Sequence, residues 1–268
     1  MTFGWFRFGL LAIYVALLAG CGGGGGEPVD PNTQPTIECS SMIKSGPSPF
    51  TYPIYVHLPP GYQTSTTAYP VVYVMDAEWT FSGFSDALFR AGKQVILVGV
   101  GNGDVQALGR RTLDYSMPGA QAHYRFLIDQ VLPTVEAKYR IDPTRRTLVG
   151  HSMGGLFTAL VMMLEDPAQR RFANYVSQDG SFWFQEDVVA GLEQTLSTRT
   201  ASLPVNLFLF SATQGGEANV RWVEPFRDLL VERNYSGLVL RYEAFNMSHG
   251  EMNLPSFRRA IDTLYPTN

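Results

Sequence analysis

The sequence predicts a single α/β domain, with a mostly parallel central sheet and helices on both faces. Three observations predict it. Strand-like and helix-like segments alternate from Tyr52 to Leu264. Several strand candidates are near-continuous apolar runs, as expected of strands covered on both sides. A serine framed by glycines, Gly150-His151-Ser152-Met153-Gly154-Gly155, stands where one such strand meets a helix.

The elements follow in order. Tyr52 to Leu58 reads as a strand closed by Pro59-Pro60-Gly61. Pro70 to Met75 is an apolar run ending at Asp76, and Gln94 to Val100 is a third strand bounded by Gly101. Ala120 to Tyr139 carries Phe126, Ile128, Leu132, Val135 and Tyr139 roughly at helical spacing, with a kink expected at Pro133. Arg146 to Val149 is a short strand, and Leu156 to Leu164 a helix of good helix formers. Ala173 to Ser177, Val205 to Phe210 and Gly237 to Phe245 complete the strands. Phe184 to Leu196, Val220 to Arg233 and Pro255 to Leu264 complete the helices, with Pro255 suited to a first turn. No internal repeat or second domain is visible, and 268 residues with 45% hydrophobic content suffice for one core.

Residues 1–20 read as a targeting segment outside this fold. Arg7 and the amino terminus supply positive charge, and Phe8 to Leu18 is too short for a comfortable membrane span. The segment ends Leu18-Ala19-Gly20-Cys21, which resembles the lipobox of bacterial lipoproteins. In those proteins the cysteine takes lipid, becomes the first mature residue and anchors the chain to a bilayer. Residues 21–47 then form a tether rich in glycine and proline, and 48–268 the folded domain. Gly22, rather than an aspartate, follows Cys21. By the same resemblance this points to the outer membrane of a Gram-negative envelope, facing periplasm or surface. With Cys21 lipidated, Cys39 has no partner within the chain, so the domain does not rely on a disulfide. A Cys21–Cys39 bridge across the linker is the alternative.

The formal charge of −4 becomes −5 once residues 1–20 are removed, and no run of Lys or Arg exceeds a pair. A nucleic-acid partner is therefore not expected. No metal-ligand cluster or nucleotide loop is visible, so no cofactor or metal is expected.

G-x-S-x-G at a strand–turn–helix joint is the arrangement of an α/β-hydrolase nucleophile. Side chains at Gly150 and Gly154 would collide as strand and helix close on the turn. The Ser152 hydroxyl then needs a base, and the base a carboxylate to orient it. The chain order of this fold is serine, acid, histidine. His57, His123 and His151 do not follow Ser152, which leaves His249, in a loop after the last strand. His151 is expected to pack beside the turn. Glu217 is the only carboxylate in the loop after Val205 to Phe210 and is the first candidate acid. Asp179 is the runner-up, and another carboxylate or a Ser–His pair remains open. Of the two oxyanion donors, one is expected from the Met153 amide and the other from Ala77 or Glu78. Trp79, Phe81, Phe84 and Trp183 are candidates for a pocket wall or for plain core.

Leu58-Pro59-Pro60-Gly61-Tyr62, Tyr69 to Asp76, Gly150 to Gly155 and Ser248-His249-Gly250 together resemble the esterase D-like family of α/β-hydrolases. The likeness runs from Ser48 to Leu264 and is nearest the enterochelin (siderophore) esterase branch. It implies a Ser152, Glu217 and His249 triad acting on a small ester. Where relatives commonly carry glycine, this chain has Ala77. An acyltransferase on the same site and a non-catalytic lipid-anchored binding protein are the other readings. The sequence does not determine the oligomeric state.

Overall fold

In the computed structural model, residues 39–45, 50–102 and 108–267 are described. The expected signal segment, Cys21 and most of the tether lie outside them. The chain opens with strands β1 (Cys39–Lys44), β2 (Thr51–His57) and β3 (Tyr69–Met75), then helix α1 (Ala77–Arg90) and β4 (Ile96–Val100). Helices α2 (Leu108–Tyr115), α3 (Gly119–Phe126) and α4 (Leu132–Glu136) precede β5 (Ile141–His151) and α5 (Met153–Leu164). Next come β6 (Asn174–Gln178), α6 (Glu186–Arg199), β7 (Asn206–Gln214), α7 (Val220–Arg233), β8 (Val239–Ser248) and α8 (Asn253–Leu264).

One eight-stranded sheet runs β1-β2-β4-β3-β5-β6-β7-β8. Pairing is antiparallel from β1 through β2 to β4 and parallel from β4 onward. Successive residues of a strand face opposite sides, so each apolar run feeds two cores. Val71, Tyr73 and Met75 join one core with Leu148, α5 and Phe226 of α7. Val72 and Val74 join the other with Phe81, Phe84 and Leu88 of α1 and Phe257 and Ile261 of α8. The Phe84 and Phe257 rings stack there, 3.8 Å between centroids. Phe81 and Phe84 are thus core residues. Every residue of α5 from Met153 to Met163 is buried, so helix and strand leave the central turn little room to move.

Strand alternation and apolar runs fall where expected, and three details differ. β1, α1 and α2 have no counterpart in the expected element order. The helix expected over Ala120 to Tyr139 is interrupted by a π-helical turn, Leu127–Val131, ahead of Pro133. Pro133 has no N–H to extend the ladder, and the wider turn absorbs the break. β5 and β8 are longer than expected, ending at His151 and Ser248.

Two histidines are buried in these cores. His57 Nδ1 lies 2.8 Å from Ser85 Oγ, and His123 sits against the rings of Tyr52, Tyr115 and Phe157. Burial pulls both down to about 4, for His123 against the attraction of Asp114. The unfolded chain therefore binds more protons between pH 6.5 and 4, and stability falls as pH falls through that window. The expected result is a Tm lower by roughly 5–10 °C at pH 4.5 than at pH 7, read by calorimetry. A His123→Phe variant should lose part of that dependence, and a Tm flat over this range would contradict it.

Candidate active site

β5 ends at His151 and α5 begins at Met153, so Ser152 alone makes the turn, at φ 62° and ψ −121°. A non-glycine residue there is strained and persists only when its surroundings over-determine it. A Cβ at Gly150 would stand 2.0 Å from the Gly154 carbonyl oxygen, and one at Gly155 2.8 Å from Gly180 Cα. Strand, helix and the next loop can approach this closely only without those side chains. Hydrogen bonds then fix the turn from both sides. The Ser152 N–H donates to the Gln178 carbonyl at 2.9 Å, and the Ser181 N–H to the Ser152 carbonyl at 3.0 Å.

The neighbouring strand carries the acid. His151 pairs with Gln178, so Asp179 leaves β6 beside Ser152. Asp179 adopts φ 45° and is fully buried. Its Oδ1 accepts the N–H of Ala212 at 2.8 Å and of Asn219 at 3.2 Å, and the Asn219 side-chain amide donates to its carbonyl at 2.8 Å. These donors compensate the buried negative charge. Its Oδ2 lies 2.5 Å from His249 Nδ1, across the end of β7. A carboxylate can only accept, so Nδ1 carries the proton and Nε2 is left with its lone pair.

The carboxylate that meets His249 is Asp179, and the expectation of Glu217 is corrected. Glu217 is exposed on the turn after β7. That loop serves the site differently, because Asn219 and the end of β7 supply the amides that hold Asp179. The Ser152 hydroxyl lies 3.3 Å from Ser181 Oγ, and in this arrangement it makes no hydrogen bond to His249.

Met153 and Ala77 are the first residues of α5 and α1, where helix amides have no partner one turn back. They stand at the ends of adjacent parallel strands, since Val74 pairs with Val149. Glu78, the other candidate donor, follows Ala77 in the same first turn, and its carboxylate accepts the Asn102 N–H at 2.8 Å. Burial raises the Glu78 carboxyl above its usual range, against those hydrogen bonds. Ahead of Ala77, Asp76 adopts φ 57°, and Arg111 grips its carboxylate with two bonds, 2.7 and 2.8 Å. The same guanidinium reaches the His151 carbonyl at 3.4 Å. Nothing in the sequence pattern singles out Arg111, Ser181 or Asn219, which lie on segments far apart in the chain.

Trp79 and Trp183 are more than half exposed, on the segments that follow β3 and β6. The Arg111 guanidinium lies 5.2 Å from the Trp79 ring. Both tryptophans are on the carboxyl side of the sheet, where parallel strands place their chemistry. No group of residues suited to hold a metal ion occurs among the described residues, nor does a helix long and apolar enough to cross a membrane.

Comparison with known proteins shows a family and a fold. The family model described as Putative esterase matches residues 49–206, a stretch that contains Ser152 and Asp179 and ends before His249. The chain is 26% identical over 198 residues to ferri-bacillibactin esterase BesA of Bacillus subtilis, covering 63% of this chain and 67% of that one. It is 24% identical to the apo-salmochelin esterase of Escherichia coli, covering 75% and 71%. An IroE-like serine hydrolase from Shewanella oneidensis has the same fold, with a TM-score of 0.68 and 23% identity over 80% of this chain and 76% of that one.

The Asp179–His249 contact can be seen without an assay. In proton NMR, the bridging Nδ1–H should give a strongly deshielded resonance. It should vanish in Asp179→Ala and persist in Glu217→Gln, and the opposite pattern would restore Glu217 as the partner.

Proposed function

The chain belongs to the Putative esterase family and is a serine ester hydrolase; we propose that Ser152, His249 and Asp179 are its catalytic triad. The observation that carries this is the contact of His249 with a buried carboxylate, beside a serine held at positive φ. The Ser152 hydroxyl turns from Ser181 toward His249 Nε2 and gives up its proton as Oγ attacks the ester carbonyl carbon. The Met153 amide and the Ala77 amide receive the developing oxyanion. The carbon–oxygen bond to the leaving alcohol then breaks, and His249 returns the proton to that alcohol. The result is an acyl-enzyme on Ser152. Water next attacks it with His249 as base, releasing the acid and restoring the serine. Asp179 stays ionised and keeps the imidazole in the tautomer with the proton on Nδ1.

The substrate class is a small ester of the siderophore type. The curated relatives named for ferri-bacillibactin and salmochelin support this. The exposed faces of Trp79 and Trp183 suit a flat aromatic acyl or alcohol group. Protein lacking residues 1–26 should hydrolyse both p-nitrophenyl butyrate and a catecholate siderophore triester. Ser152→Ala should lower kcat by about 10⁴–10⁶-fold and Asp179→Asn by about 10²–10⁴-fold. Glu217→Gln should stay within about twofold, as expected of a surface change. Full turnover by Ser152→Ala, or a loss in Glu217→Gln matching that in Asp179→Asn, would contradict the assignment.

The place of action is the bacterial envelope, with the domain tethered through lipid on Cys21. The lipobox-like Leu18-Ala19-Gly20-Cys21 and the Gly/Pro-rich segment behind it support this. Expressed at full length in a Gram-negative host, the protein should incorporate labelled palmitate and sediment with outer membranes, and Cys21→Ala should do neither. Equal labelling of both would refute the anchor.

A further inference from the structure

We propose that His151 is a positioning residue for His249, locking the base's main chain to the strand that carries the nucleophile. This rests on the triad reading above. His151 is the last residue of β5, next to Ser152. Its Nε2 lies 2.8 Å from the carbonyl oxygen of His249, and a carbonyl accepts, so His151 donates. The two imidazoles are in tilted contact, 4.4 Å between centroids and 35° apart in plane.

His249 sits on a turn whose neighbours Met247, Gly250 and Glu251 are all exposed. Glu251 ties that turn to itself, accepting the Ser248 N–H at 3.1 Å and the Ser248 hydroxyl at 2.5 Å. Ser248, paired with Gln214 of β7, and the buried Met252 anchor the two ends of the turn, and His249 projects between these anchors. From His249 itself, two bonds reach the rest of the domain: the ring to Asp179 and the carbonyl to His151. A single bond at Nδ1 leaves the ring free to swing about that contact. The second bond, at the main chain of the same residue, removes the swing, and the His151 ring closes one side. Because residues 151 and 152 are contiguous, nucleophile and base are then referenced to one strand. The Arg111 bond to the His151 carbonyl holds the brace from the other side.

His57 and His123, unlike the half-buried His151, are buried in the cores. His57 and His123 each bury an Nε2 that has no hydrogen-bond partner, as packing residues can. His151 directs its Nε2–H at the base loop. It stays neutral for this role, since burial, reinforced by the His249 ring and opposed by the bond to the His249 carbonyl and by Asp179 and Asp76, pulls it down to about 4.

The test compares three variants with the wild type. His151→Leu and His151→Phe remove the donor, and Phe keeps a ring. His151→Gln offers an amide N–H near the position of Nε2. The expected result is a 10–100-fold loss of kcat in Leu and Phe, with KM within about threefold, as for misplaced catalytic groups. The rate of Ser152 phosphonylation by a fluorophosphonate should fall in parallel, and Gln should recover to within about fivefold of wild type. Tm is measured for each, and Phe serves if Leu does not fold. Wild-type labelling rates in Leu and Phe, or a Gln variant no better than Leu at equal Tm, would overturn the proposal. Mapping the label separates the two readings, because a label found away from Ser152 in the wild type defeats the triad instead.

Discussion

The close approach of β5, α5 and the loop after β6 is the constraint on which the site depends. With Gly150 and Gly155 lacking side chains, the chain reverses within one residue, and Ser152 is forced to positive φ. Holding a serine there costs about 1–3 kcal/mol. A helix buried along its length and hydrogen bonds to both neighbours of the turn offset that cost. The same compression lifts the hydroxyl to the carboxyl edge of the sheet and leaves the Met153 amide at a helix start, where a developing negative charge is stabilised.

The sheet order does the remaining assembly. Ser152 stands at the end of β5, Asp179 at the end of β6, the amides that hold Asp179 around the end of β7, and His249 at the end of β8. His249 must therefore reach across one strand end to find its carboxylate, which explains why its loop is tied at both ring and main chain. On the other side of the serine, β3 delivers Ala77, and Arg111 links the residue before it to His151. Elements far apart in the chain thus meet through strand ends that lie side by side.

Much of this was legible in the sequence for a physical reason. Strands covered on both faces must be apolar throughout, and a one-residue reversal must be framed by glycine, so both leave marks in composition. His249 was legible because chain order left no rival. The choice between Asp179 and Glu217 was not, since both follow a strand after the serine and only the spatial order of strand ends separates them. One local mark did favour Asp179: it follows its strand immediately and precedes Gly180, and aspartate tolerates the left-handed conformation found there. Glu217 lies beyond two glycines that carry the loop into solvent. β1, α1 and α2 were not among the expected elements. β1 is held at the sheet edge by pairing with β2, and α2 is a short helix whose arginines pair both within it, Arg110 with Asp114, and beyond it, Arg111 with Asp76.

The most direct measurement is a crystal structure of the protein after reaction with a dialkyl fluorophosphate. The phosphorus should be bonded to Ser152 Oγ, with its charged oxygen about 3 Å from the Met153 and Ala77 amides. His249 Nε2 should face the phosphoryl group while Nδ1 remains on Asp179. A phosphoryl group on another residue, or a His249 ring paired with Glu217, would contradict the triad.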